Sequence, residues 1–426
     1  MFGRKKKNKA WVVAVDMGYG HQRAALPFRD IAQGGNIITA NDYKGVPESD
    51  KKIWQDSRAF YETISRFKKF PVLGDFVFAI FDKFQGIREF YPSNASIEAP
   101  TLQLKQVYGL FEKKHWGEHL ISKLNKNPLP LLTTFFTPAY MAEFWKYKGP
   151  IYLIIPDTDI SRAWAPLQPT KSKIIYCAST ARAAARLKRY GVKKEQIRFT
   201  GFPFPREFTR GNEANEKKDL KRRLQMLDPR RRYIKQYART VEQYVGNIPK
   251  KGSRSRRISL TFAIGGAGAQ ADIAEDIMKS ARPLLRDGTL ALHVIAGIHT
   301  QLAADLKRQA GAHMFIHASR NKKKYFEDFS KILRKTDILW TKPSELVFYA
   351  GLGIPLILAP PIGSQEVANR KWLLDIGAGI DQGKPNLVHQ WLPDLLEEGA
   401  LAEAAMQGFI EIEKNGAENI RKLVCG

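Results

Sequence analysis

Apolar residues in this chain come in short runs, set apart by glycine- or proline-rich turns and by longer stretches of helical period. Trp11–Val15 is the first such run and reads as a strand. DMGYGHQRAALPF follows, with Gly18 and Gly20 bracketing Tyr19 and His21 opening a helix. Near the other end, Thr341–Leu373 (TKPSELVFYAGLGIPLILAPPIGSQEVANRKWL) reads as strand end, turn, helix, buried strand, then a broken loop opening another helix. Asp337–Trp340 supply the strand and Leu346–Ala350 an apolar helix face, while Ile354–Ala359 has the length of a fully buried parallel strand. Two loops, Lys342–Glu345 and Pro360–Glu366, are thereby expected at the carboxyl ends of neighbouring strands. Open α/β sheets bind nucleotide-like ligands along that edge. Each loop opens a helix whose unpaired N–H groups favour an anion such as a diphosphate. Ordinary turns capped by Ser344 and Ser364 account for the same spacing.

The glycines around Tyr19 let the backbone turn tightly and approach a ligand closely. A strand–Gly-x-Gly–helix turn occurs in many α/β folds, and a histidine at a helix start is more often a surface residue than a catalyst. The turn gains specificity only in company with the C-terminal run.

Together these segments resemble the GT-B glycosyltransferases, in particular the branch holding monogalactosyldiacylglycerol synthase, processive diacylglycerol glucosyltransferase and the MurG-type peptidoglycan enzyme. The family's opening Gly-x-Gly-His turn is matched by Gly18–His21. Its apolar strand ending in Thr-Asp with a nearby Trp resembles IYLIIPDTDISRAW (Ile151–Trp164), and its next strand resembles Ile174–Thr180. A Gly-Val…Ile…Thr-Gly-x-Pro stretch is matched at Gly191, Val192, Ile197, Thr200, Gly201 and Pro203, and a Gly-Gly-x-Gly-Ala turn at Gly265–Ala269. Asp337, Thr341–Pro343, Gly353–Pro355, Gly363, Glu366 and Asn369 complete the order. One departure stands out: where the family has Lys-Pro-Gly-Gly and a later helix Glu, this chain has Lys342-Pro343-Ser344-Glu345, and Phe348 or Tyr349 at the later position.

The resemblance implies two Rossmann-like parallel-sheet domains facing across a cleft, and transfer of a hexose or N-acetylhexosamine from a nucleotide diphosphate sugar, with uridine the expected nucleotide. It implies inversion without a bound metal or cofactor. The acceptor would be a lipid or polyprenyl-linked molecule at the cytoplasmic membrane face. His21, beside Gly18 and Gly20, is the expected acceptor-side base, with Asp159 a competing candidate. Gly265, Gly266 and Gly268 would turn N–H groups to the diphosphate, aided by Lys342 and by the helix starts at Ser344 and at Gly363 and Ser364. Gln365, Glu366 and Asn369 would bind sugar hydroxyls, Glu345 would take over the contact of the missing helix Glu, and His299 would line the base pocket. The expected division is 1–205, a basic insertion 206–257, and 258–426, whose final helices pack back on the first domain.

Composition is consistent with this. At 426 residues and 44% hydrophobic content the chain can bury two cores. Two cysteines provide no disulfide framework, and the eight histidines read as scattered, with no metal site expected. The basic Met1–Lys9 does not read as a secretory signal, and no apolar run approaches the roughly 18–20 residues of a membrane span.

The net charge of +27 changes the picture more. Arg210–Arg257 alone holds 16 Lys and Arg against 5 Asp and Glu, and reads either as a solvated insertion or as a contact for an anionic membrane surface. Phe60–Tyr91 interleaves aromatics with Lys and Arg, as core helices do and as interfacial helices also do. Nucleic acid is a less expected partner. Two other functions stay open: a nucleotide-sugar epimerase, which needs no acceptor, and a non-catalytic protein whose basic insertion binds anionic lipid or nucleic acid.

Overall fold

Every strand pair in the computed structural model is parallel among its described residues, which are 9–67, 86–91, 98–209, 214–249, 256–264, 270–361 and 363–426. Parallel neighbours cannot be joined by hairpins, so helices must cross over the sheet and bury both of its faces. This is why the strands are short, wholly apolar runs. The chain divides into two compact units, one of Met1–Arg206, Ile362–Asn369 and Glu413–Gly426, the other of Glu207–Pro361 and Arg370–Ile412.

The first unit holds a six-stranded sheet ordered β2-β1-β3-β4-β5-β6, where β1 is Trp11–Ala14, β2 Ile38–Thr39, β3 Leu131–Thr133, β4 Ile151–Ile155, β5 Ile175–Ala178 and β6 Ile197–Phe199. Side chains alternate between its faces. Val13, Leu131, Leu153 and Tyr176 bury against Leu104, Phe111, Leu120 and Tyr140. Val12, Ala14, Leu132 and Ile154 bury against Phe28, Ile31 and three residues of the last helix, Ala417, Ile420 and Val424. That helix, Gly416–Cys425, is tied down by the Tyr152 hydroxyl, which donates to the Leu423 carbonyl at 2.9 Å, and by Arg421, which donates to the Pro27 carbonyl. A Cβ on Gly416 would overlap the carbonyls of Gly201 and Phe202. Gly416→Ala is therefore expected to cost about 1–3 kcal/mol, read as a lower midpoint in urea unfolding; an unchanged midpoint would contradict the close approach.

The second unit's sheet is ordered β12-β11-β10-β7-β8-β9, with β7 Ile258–Ala263, β8 Leu290–Ile295, β9 Met314–His317, β10 Ile338–Thr341, β11 Leu356–Leu358 and β12 Gly379–Asp381. Leu260, Phe262, Leu292, Val294, Trp340 and Ile357 form its core. Much of the expected basic insertion is instead part of this unit. Helix Ala214–Leu227 buries Leu220, Leu224 and Leu227 in that core, and the helices Arg232–Gln236 and Ala238–Val245 bury Tyr233, Ile234, Val241 and Val245. Even one of its cations is internal. Arg223 is fully buried and donates to the carbonyls of Thr336, Leu352 and Leu333 at 2.9, 2.7 and 3.2 Å. Burial lowers its pKa to about 10.

Candidate functional site

Both sheets reverse their winding at one point, and some of the candidate residues lie beside those two points. In the first sheet the chain leaves β1 for β2 on one side, then returns to place β3 on the other. A ligand-binding crevice is expected outside the carboxyl ends of β1 and β3. Gly18 follows β1 with φ 132° and ψ 158°, a conformation open to glycine alone, and starts the helix Tyr19–Ala25. Gly20 and His21 occupy that helix's first turn. Nδ1 of His21 lies 2.8 Å from the carbonyl oxygen of Thr134, the residue after β3. A carbonyl only accepts, so Nδ1 carries the proton and Nε2 of the neutral ring is the basic nitrogen. Phe135 meets the ring edge-on at 4.9 Å and Trp164 lies 6.0 Å away, walls that fix its plane.

Asp159, on the loop after β4, is held in a buried ion pair. Its Oδ1 accepts from the Ile160 N–H and from Arg186 Nε, both at 2.8 Å, and its Oδ2 accepts from Arg186 Nη2 at 2.7 Å. The Asp159 and Arg186 side chains are 3% and 2% exposed. Arg186 also donates to the Arg88 carbonyl and stacks 3.9 Å over the Phe90 ring. A forked, buried pair of this kind fixes the geometry of its loop.

In the second sheet the reversal falls between β7 and β10. Gly265, Gly266 and Gly268, after β7, lie outside the described residues. After β10, the Ser344 N–H donates to the Lys342 carbonyl at 2.6 Å, and Glu345 takes the left-handed conformation at φ 52°. Glu345 rather than Ser344 is the cap residue of helix Leu346–Gly351, and it makes no side-chain cap bond. Its carboxylate accepts from the Tyr349 hydroxyl at 2.9 Å. Phe348 and Tyr349, at the position of the family's helix Glu, are core residues: Phe348 meets Phe208 at 5.3 Å and Tyr349 meets Phe329 at 6.0 Å. After β11, Gly363 leads into helix Ser364–Asp375, which begins at Ser364 itself. Gln365, Glu366 and Asn369 lie on its first turns, with Glu366 and Asn369 buried. Gln365 Nε2 donates to the Asp159 carbonyl at 2.6 Å. His299 is the cap residue of helix Thr300–Gln309, beyond the carboxyl end of β8, and makes no side-chain cap bond.

Residues 239–335 match a family described as Domain of unknown function (DUF6938). The chain is 23% identical over 175 residues to processive diacylglycerol β-glucosyltransferase of Bacillus pumilus (strain SAFR-032), a match covering 39% of this chain and 44% of that protein, so it spans under half the relative's length. Among solved structures, an S. aureus MnaA–UDP co-structure is similar at TM-score 0.48 and 13% identity, over 97% of this chain and 95% of that one. Acinetobacter baumannii MurG is similar at TM-score 0.46 and 14% identity, over 98% and 99%. The chain resembles the GT-B glycosyltransferases.

Several site residues escape a reading by motif. Thr134 acts through its carbonyl, which any residue type supplies, so only the loop's place after β3 could have marked it. Arg186 lies on a helix 27 residues beyond Asp159. The histidines are less scattered than they read: His115 and His119, and likewise His313 and His317, are four residues apart. Neither pair converges on a ligand site. His119 Nδ1 bonds the Tyr43 hydroxyl at 2.7 Å and His115 Nδ1 lies 2.9 Å from Glu118. His317 Nε2 meets His293 Nδ1 at 3.0 Å, and burial lowers the pKa of both rings, that of His293 to about 4. Among the described residues no group of three His, Cys, Asp or Glu could hold a metal ion. No helix among them is long and apolar enough to cross a membrane.

Proposed function

We propose that the protein is a glycosyltransferase moving a hexose or N-acetylhexosamine from a nucleotide diphosphate sugar, with UDP the nucleotide, to a hydroxyl of a lipid or polyprenyl-linked acceptor. The observation that carries this reading is the His21 ring, pinned through Nδ1 to the Thr134 carbonyl at the first sheet's reversal, with Nε2 as its basic nitrogen. In the proposed reaction the acceptor oxygen attacks the anomeric carbon, its proton passes to Nε2, and the bond to the diphosphate breaks with inversion. Lys342, Gly363, Ser364 and the glycines 265, 266 and 268 bind the nucleotide diphosphate, by N–H groups, helix starts and charge, and Glu345 takes the ribose or sugar contact. Gln365, Glu366 and Asn369 bind the sugar. No metal takes part.

The acceptor places the enzyme on the cytoplasmic face of a membrane. Support comes from the outer surface of the basic stretch, where Arg232, Lys235 and Arg239 are exposed around Tyr237, itself 42% exposed. In the aromatic segment 60–91, residues 68–85 lie outside the described residues and lend no support either way.

Calorimetric titration with UDP, ADP and GDP tests the donor site. UDP is expected to bind selectively and to bind less well to Gly266→Val; failure of all three nucleotides would overturn the reading. Incubation with UDP-sugar alone separates transfer from epimerisation, since isomerised sugar without an acceptor would make the protein an epimerase.

A further inference from the structure

Among the described residues β9 is an edge strand of the second sheet, paired with β8 on one side only. Its side chains alternate: Met314 and Ile316 enter the core, while Phe315, 46% exposed, and His317 take the other face. Phe315 lies opposite His293 of β8, and His317 lies opposite Ile295. The two half-buried histidines are therefore diagonal neighbours across the last strand pair.

His293 Nδ1 and His317 Nε2 are 3.0 Å apart, while the ring centres are 5.3 Å apart and the planes 14° from parallel. That is as far apart as two such rings joined by a 3.0 Å contact can stand. The nitrogens therefore point straight at each other, in nearly one plane, and form an N–H···N hydrogen bond with one donor and one acceptor. Phe315 covers the His293 ring at 4.9 Å. The charges that reach the pair come from both neighbouring helices. Lys335, just past helix Lys322–Leu333, acts on His293, and Lys307 of helix Thr300–Gln309 acts on His317. Asp328 acts on His317 as well, but it already accepts from the Ser319 hydroxyl at 2.9 Å and pairs with Lys324 at 3.0 Å. A protonated ring would thus meet two lysines and a carboxylate already engaged.

We infer that the His293–His317 bond is an acid-sensitive latch that holds the edge strand β9 on β8. A proton gained by the accepting nitrogen sets two N–H groups face to face. A proton gained elsewhere on either ring places a charge in a half-buried site beside lysines. Opening β9 relieves both. Burial, then the neighbouring charges, hold His293 at about 4 in the closed form, and release returns it to the ordinary 6.5. A folded value below the open one makes the latch fully effective above about pH 6.5 and weakens it as pH falls toward 4. Between pH 7.5 and 5 the opening constant should rise about thirtyfold. Opening bares Met314, Ile316 and the backbone edge of β8, a surface able to pair with another chain.

Hydrogen exchange of the full chain, read by mass spectrometry at pH 7.5 and 5.0 and corrected for intrinsic rates, tests the latch. Protection over residues 312–317 is expected to fall about thirtyfold at the lower pH, while protection over β4 holds within about threefold. His293→Asn sets an amide Nδ2 where Nδ1 stands, so it still donates to His317 and cannot titrate. In that variant protection over 312–317 is expected to hold within about threefold. Unchanged protection over β9 in the wild type, an equal fall over β4, or the full fall in His293→Asn would overturn the inference. Should His293→Asn fail to fold, His293→Leu removes the same titrating ring and is read by the same criteria.

Discussion

His21→Ala is expected to slow glycosyl transfer by about 10²–10⁴-fold, the usual worth of a positioned general base. UDP affinity is expected to stay at its wild-type value, because the ring belongs to the acceptor side of the proposed reaction. His21→Asn is the more telling variant, since its Nδ2 stands where Nδ1 of the histidine does. Its amide N–H can still donate to the Thr134 carbonyl, which accepts from His21 Nδ1 at 2.8 Å, but the side chain offers no basic nitrogen. It should therefore keep the local structure and lose turnover to the same degree. Single-turnover measurements at saturating donor would read this directly. Wild-type rates in either variant would remove His21 from the chemistry.

Asp159→Ala is expected to act on stability first, at a cost of about 3–5 kcal/mol, because it strands a buried guanidinium. Arg186 is 2% exposed and its partner 3%, so little water is on hand to take the carboxylate's place. The double variant Asp159→Ala/Arg186→Met should recover much of the loss by removing the orphaned charge together with its partner. Urea unfolding monitored by circular dichroism measures both. If Asp159→Asn unfolded at the wild-type denaturant concentration yet had lost turnover, the carboxylate would be a catalytic group after all.

Fold and site were legible to different depths in the sequence. The strands at Trp11–Ala14, Ile151–Ile155, Ile175–Ala178 and Leu356–Leu358 announce themselves because a strand buried on both faces must be a short apolar run. The glycine turn before His21 was legible for a similar reason, since few other residues could turn there. The basic stretch was not, because charge counts dominate its appearance. Leu220, Leu224 and Leu227 sit one turn apart along a helix whose other positions are mostly polar, and these three, not the cations, decide where it packs. The ion pair of Asp159 was not legible because its environment is set by an arginine distant in sequence, and no spacing rule announces such a pair. The short helix after β10 shows the same limit: its missing Glu is visible in the sequence, whereas the burial of Phe348 and Tyr349 in its place depends on Phe208 and Phe329.

The last helix sets an order of events for the chain's birth. Val12, Ala14, Leu132 and Ile154 are all made early, yet the residues that cover them include Ala417, Ile420 and Val424. On the ribosome the first sheet can assemble long before that cover exists, and its apolar face must wait while all of the second unit is synthesised. During that interval the half-built unit is a natural client for chaperones and the stage most exposed to aggregation.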